Sequence, residues 1–250
     1  MSDRTESQHP PRIVYLTAGA AGMYCGSCMH DNALAKSLRR RGIDCVLQPV
    51  YTPIRTDEES VANQTVFFGG IQIYLLSRFG WLRRVPSGLR RWLDHPKVLR
   101  WATRKSRATD AAQLGDLAVS MLRGEHGDQV DEVARLTDWL ADEVHPDVIV
   151  LTNLLIGGVL PTIRKRLPGV KVIVLLQGDD IFLDHLPAKQ RKEAVALCAE
   201  LTSLVDRFVV NSDFYAKKML VLLGIDPSQI VIHPLTIDLQ PFENASEVSG

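Results

Sequence analysis

Arg12-Ile-Val-Tyr-Leu-Thr-Ala-Gly-Ala-Ala-Gly-Met-Tyr-Cys-Gly-Ser-Cys28 decides how the chain is read, because it passes from an apolar run through a glycine-rich stretch into a helical pattern. Ile13, Val14, Tyr15 and Leu16 are β-branched, aromatic and aliphatic residues suited to a buried strand. From Met29 to Arg41, Ala33, Leu34 and Leu38 recur at helical spacing until Gly42 stops the pattern. Gly19, Gly22 and Gly26 lie between the two. Glycines there let the backbone approach a ligand, and the first turn of a following helix offers free N–H groups to a phosphate or a sugar hydroxyl. The same glycines also serve a tight strand-to-helix connection with no ligand at all. Their spacing is not the G-x-G-x-x-G of dinucleotide-binding folds, so NAD gains little support.

The strand-turn-helix unit repeats along the chain. Asp44 to Val50 reads as a second strand, close enough to the first for a single crossover helix. The polar segment Tyr51 to Asn63 reads as a surface loop, and Gln64 to Phe68 with Ile71 to Leu76, joined by Gly69-Gly70, as a hairpin. Helical patterns over Asp110 to Arg123 and Asp128 to Val144 lead to Pro146-Asp-Val-Ile-Val-Leu-Thr152, apolar enough for a central parallel strand. A helix over Asn153 to Arg166, a strand over Val170 to Leu176, a helix over Glu193 to Val205 and a strand over Arg207 to Val210 follow. Asn211-Ser-Asp213 then caps a helix ending at Gly224, and Gln229 to Ile232 is a last strand. The expected fold is α/β: a Rossmann-like open parallel sheet with helices on both faces, plus a helical insertion around 77–144.

At 250 residues and 46% hydrophobic the chain can bury a large core. Met1 to Pro11 is polar and reads as a disordered lead-in without the apolar core of a secretory signal, so a soluble cytoplasmic protein is expected. Four cysteines in that setting point to reduced thiols. The net charge of zero hides a division: Arg78 to Arg107 holds ten Lys and Arg against the single acid Asp94, beside three of the four tryptophans. Two readings of that segment stay open. It could lie on an anionic membrane surface, cytoplasmic and peripheral, or be a helical insertion whose tryptophans pack on the domain. Nucleic acid is disfavoured because the rest of the chain is acidic.

Chemistry-bearing residues concentrate at strand ends. Gln177-Gly-Asp-Asp180 directly follows a strand, where open parallel sheets bind ligands, although Asp179 or Asp180 could simply cap the next turn. Cys25-Gly-Ser-Cys28 at a helix start has the form of a low-pKa thiol pair, with His30 nearby as a crude third metal ligand; an isolated motif of this kind is weak, and no metal site is expected.

Four local features, taken in order, resemble the N-terminal half of a family-4-type glycosyltransferase of the two-domain GT-B fold. They are Gly19 to Gly26 with Asn32 to Gly42 behind it; Pro146-Asp-Val-Ile-Val-Leu; Gln177-Gly-Asp-Asp; and Phe208-Val-Val-Asn-Ser212 followed by Gly224 and Ile230-Val-Ile-His-Pro-Leu-Thr-Ile-Asp-Leu-Gln-Pro-Phe242. The resemblance implies an acceptor-binding domain over 12–238, with 239–250 as hinge or tail. Gly19, Gly22, Gly26, His30, Asp31, Asn32, Gln177 and Ser212 would be ligand-binding, and Asp179 and Asp180 the weak catalytic candidates. A nucleotide-sugar donor is implied as co-substrate, a sugar or glycolipid as acceptor, and no cofactor on this half. Two departures stand out: Gln177 occupies the place of a family histidine, and Pro234-Leu-Thr-Ile-Asp238 replaces a Pro-Asn-Gly-x-Asp hinge. Only eight residues follow Phe242, and no two glutamates are eight residues apart as the family's donor-site pair would be. The donor domain is therefore expected in a longer chain or a separate polypeptide, and this half is expected to be inactive without it. A non-catalytic sugar- or nucleotide-binding module is the alternative, and a membrane-surface adaptor the third.

Overall fold

The computed structural model describes residues 10–19, 24–63, 66–67 and 111–236. Strand β1 (Ile13–Thr17) leads through the glycine stretch into α1 (Gly26–Arg40) and β2 (Cys45–Pro49). Helices α2 (Ala111–Leu122) and α3 (Val130–Asp138) precede β3 (Val148–Leu151), and α4 (Leu160–Arg166) precedes β4 (Lys171–Leu175). Then come α5 (Asp179–Asp184), α6 (Ala188–Leu201), β5 (Arg207–Val210), α7 (Asp213–Leu223) and β6 (Ile230–Ile232). The six strands form one sheet in the order β2-β1-β3-β4-β5-β6, and every neighbouring pair is parallel. The chain is thus a Rossmann-like α/β fold. The strand order changes direction between β1 and β3, the place at whose carboxyl ends open parallel sheets form ligand crevices.

Strand geometry divides the apolar residues between two faces, since successive side chains point to opposite sides. Val14, Leu16, Ile149, Leu151, Val172, Val174, Phe208 and Val210 share one core with Leu122, Val133, Ile163, Ala194, Met219 and Leu223 from the helices. Tyr15, Leu47, Val150 and Leu175 share the other with Ala35 of α1, flanked by Leu34 and Leu38. A strand covered on both sides must be apolar at every position, and for this reason β3 and β4 read as unbroken hydrophobic runs.

Several boundaries differ from the sequence expectation, each for a local reason. Helix α1 starts at Gly26, three residues before its apolar spacing begins, because its first turn packs nothing but Cys28. The pattern over 128–144 divides into α3 and a wider π turn over Trp139–Val144, ended by His145 in the left-handed region at φ 52°. The 153–166 pattern opens with a 3-10 turn over Leu154–Val159, capped by Asn153, whose Oδ1 accepts from Ile156 N at 3.2 Å. Helix α6 begins at Ala188, after Pro187, rather than at Glu193. The segment after β2 is more than a loop: Ala62 bridges Leu47 along the outer edge of the sheet, and Asn63 N donates to Leu47 O at 2.9 Å. The hairpin expected over 64–76, all but Val66 and Phe67 of it, lies outside the described residues, as do the basic segment 78–107 and the tail 239–250. Among the described residues no helix is long and apolar enough to cross a membrane.

Arginine-centred links pin the amino ends of the strands. Arg12 Nε donates to Asp44 Oδ2 at 2.6 Å and its Nη1 to Val144 O at 2.7 Å. Arg164 joins α4 to the far strands, donating to Leu204 O, Val170 O and Asp206 Oδ2, while Asp206 also accepts from Val172 N at 2.8 Å. The side chain of Phe208 fills the centre of the larger core with no exposure. Phe208→Ala removes a whole ring from close packing and is expected to cost about 3–5 kcal/mol, measured as a lowered urea midpoint.

Candidate functional site

The carboxyl ends of β1, β3, β4 and β5 carry Thr17, Thr152, Gln177 and Asn211-Ser212. Beneath them lies Asp31 on α1, with no solvent exposure. Its Oδ1 accepts from Tyr15 OH at 2.6 Å and Gln177 Nε2 at 3.2 Å; its Oδ2 accepts from Thr17 Oγ1 and Thr152 Oγ1, both at 2.7 Å. A carboxylate has about four acceptor positions, and here protein donors take four. Burial raises the Asp31 pKa, opposed by hydrogen bonds from Tyr15, Thr152, Thr17 and Gln177. The Tyr15 hydroxyl is raised as well, by burial first and by the Asp31 charge second.

The Gln177-Gly-Asp-Asp turn is built by its own aspartates. Asp179, 1% exposed, accepts from Leu154 N at 2.7 Å and from Gln177 N at 3.0 Å, so one carboxylate straps the exit of β3 to the exit of β4. Gly178 sits at φ 84°, a conformation that glycine adopts without strain, and its N–H donates to Tyr215 OH at 3.0 Å. Asp180 takes an ion pair from Lys218 of α7. Burial lifts the Asp179 carboxyl to about 6 against the backbone hydrogen bonds it accepts, with Asp180 adding repulsion. Asp180 is also buried, which alone would raise it, but the Lys218 and Tyr215 hydrogen bonds outweigh this and hold it below the usual carboxylate range.

The remaining candidates separate by what they touch. Asn32, 1% exposed, donates to Glu59 O at 3.1 Å and accepts from Val61 N at 2.9 Å, so its amide fastens the segment after β2. His30 is half-buried, and its Nδ1 has no hydrogen-bond partner among the described residues. Ser212 caps α7, its Oγ accepting from Tyr215 N at 3.2 Å. Gly19 has φ 81°, and a Cβ there would collide with the carbonyl oxygen and Oγ1 of Thr52. Gly26 has open space around it, and Gly22 lies outside the described residues. The structure thus gathers Asp31, Gln177, Asp179 and the Gly178 backbone around one crevice. Asn32 serves the sheet edge instead. Thr17, Thr152 and Tyr215 belong to the network without a sequence signal beyond lying at or near strand and helix ends, and Tyr15, in the middle of β1, without any.

Cys28 of the Cys25-Cys28 pair does not have the electrostatics of an activated thiol. Cys28 is buried and pushed up to about 12, chiefly by burial, with electrostatic contributions from Cys25 and Asp31 adding to it. A nucleophilic thiol needs a lowered pKa and access to solvent. All four cysteines are free thiols, and among the described residues no three His, Cys, Asp or Glu side chains are grouped to hold a metal ion.

Neither a known protein family nor a curated protein matches the sequence. Among solved structures, the lipopolysaccharide outer core galactosyltransferase WaaB, apo form, aligns with 91% of this chain at 11% identity and a TM-score of 0.47. The chain spans 47% of the length of that structure.

Two outcomes test this account of the site. Gly19→Ala, strained in backbone and blocked by Thr52, should destabilise by about 1–3 kcal/mol, whereas Gly26→Ala, in an open helical position, should stabilise by about 0.5–1 kcal/mol in thermal or urea melts. For Asp179, the folded pKa near 6 lies above that of an unfolded aspartate, about 3.9. Its contribution to stability is therefore full below pH 4 and lost as pH rises through 6, by about 3 kcal/mol. Asp179→Asn should remove that slope between pH 4 and 6 when its urea melts are compared with those of the native chain.

Proposed function

We propose that the crevice at the carboxyl ends of β1, β3, β4 and β5 is the sugar-facing wall of a GT-B glycosyltransferase of the family-4 type. In this proposal the chain contributes the acceptor-binding half, and a nucleotide-sugar donor is held by a second domain, in a longer chain or a separate polypeptide. One observation carries the reading. Three of the sequence features that resemble this family, Pro146 to Leu151, Gln177 to Asp180 and Phe208 to Ser212, follow in order along the neighbouring strands β3, β4 and β5 and meet the carboxyl edge, where open parallel sheets bind ligands. The acceptor would be a sugar or glycolipid whose hydroxyl meets the edge formed by Gln177, Gly178 and Ser212, and the protein would act in the cytoplasm.

The division of labour follows from the carboxylates. Asp179 is occupied by two backbone donors and Asp180 Oδ2 by Lys218, while Asp180 Oδ1, without a hydrogen-bond partner among the described residues, is buried from solvent, so neither carboxylate presents an accessible oxygen to an acceptor hydroxyl. That favours binding and orientation as the work of this half, and it is also what a non-catalytic sugar-binding module would need. The two readings part when a donor domain is supplied.

Titrating isotopically labelled protein with methyl α-D-glucopyranoside and with UDP-glucose should shift resonances of Gln177, Gly178 and Ser212. Shifts confined to the opposite edge, around Arg12 and Arg164, would refute the placement. The 250-residue chain alone should hydrolyse or transfer no sugar from UDP-glucose; turnover by it would overturn the half-enzyme assignment.

A further inference from the structure

The amide of Gln177 has a polarity that its surroundings dictate. Its Nε2 lies 3.2 Å from Asp31 Oδ1, 3.3 Å from the Thr152 carbonyl oxygen and 3.4 Å from Thr152 Oγ1. The carbonyl oxygen can only accept. The Thr152 hydroxyl has one proton, given to Asp31 Oδ2 at 2.7 Å, so toward Gln177 it too can only accept. Asp31 is surrounded by donors on both oxygens, the arrangement that suits an ionised carboxylate. Turning the amide over would set its carbonyl oxygen against three acceptors, one of them charged. The nitrogen therefore faces the sheet and Oε1 faces away from it, where it accepts from none of the described residues.

We propose that Asp31 is a positioning residue that fixes the Gln177 amide with Oε1 outward, so that this point of the crevice is a hydrogen-bond acceptor selecting a pyranoside hydroxyl over a phosphate oxygen. The assignment rests on the sugar-binding reading of the crevice given above. Asp31 never touches the ligand; its four acceptor positions are taken, and it acts through what it orients. A phosphate brings negative charge and mostly acceptor oxygens to this position, and the buried carboxylate beneath adds repulsion. A hydroxyl brings a donor. The hydroxyl could belong to an acceptor glycoside or to the sugar of a nucleotide-sugar, and the chemistry recognised is the same.

The test reads the Gln177 side-chain NH2 signals by NMR, assigned through their disappearance in Gln177→Met. In the native chain those protons should exchange with water at least about tenfold more slowly than in free glutamine. Methyl α-D-glucopyranoside or UDP-glucose should shift them, the first marking the acceptor sugar and the second the donor sugar, while inorganic phosphate should not. In Asp31→Asn the exchange should quicken toward the free rate, and the preference for glucoside over phosphate should fall about fivefold to tenfold, the scale of one neutral hydrogen bond. Gln177→Met, at a half-exposed position, keeps the volume and should lose the same preference even if Asp31→Asn fails to fold. Exchange at the free rate in the native chain overturns the proposal, as does an unchanged preference in the variants or tighter binding of phosphate than glucoside at Gln177. If neither glucoside nor UDP-glucose binds, the sugar reading and the ligand assignment fall together, while the exchange rates still decide the amide's orientation on their own.

Discussion

A carboxylate sealed from water has to find donors for its lone pairs, and at Asp31 this requirement organises the carboxyl edge of the sheet. Its donors come from β1, from β3 and from the turn after β4, so one side chain on α1 ties three strand exits together at the place where the strand order reverses. An unpaired charge at that depth would cost several kcal/mol, which is why all four partners are held at hydrogen-bonding distance. The crevice inherits its shape from this demand. Thr17, Thr152 and Gln177 have their polar groups turned inward to Asp31, and what faces outward is largely backbone and the far side of the Gln177 amide.

The two edges of the sheet are held by different physics. At the amino edge, Arg12 and Arg164 make several hydrogen bonds each to carbonyls and carboxylates, half-exposed contacts that lock strands without leaving groups available for chemistry. At the carboxyl edge the links centre on buried aspartates and one short turn: Asp179 to the amides of Leu154 and Gln177, Asp180 to Lys218, and the Tyr215 hydroxyl to the Gly178 amide. Ile181 and Phe214, next in the chain to Asp180 and Tyr215, are exposed, the latter at 79%.

Much of the fold is legible in the amino-acid order because strands buried on both faces have to be apolar throughout, and Ile13 to Leu16, Val148 to Leu151 and Val172 to Leu175 can form little else. Helix ends were readable where a side chain or a glycine makes the cap, as at Ser212 and Gly224, the latter at φ 65°. Ends with no such signal, at Gly26 and Ala188, were displaced. The exit of β4 stands out in the sequence as a candidate because strand and turn chemistry meet there in consecutive residues.

The sequence by itself determined the alternation of strands and helices, the parallel sheet and the edge at which polar residues collect, since each follows from short-range patterns of burial and turn formation. Only the tertiary structure decided which polar residue does what. Asp31 and Asn32 are neighbours on one helix, yet one holds the floor of the crevice and the other fastens the segment at the edge of the sheet. Asp31 is bonded to Thr152 and Gln177, which are 121 and 146 positions away along the chain, and a buried charge is defined by such distant donors and by the water it has lost. No local pattern carries that information.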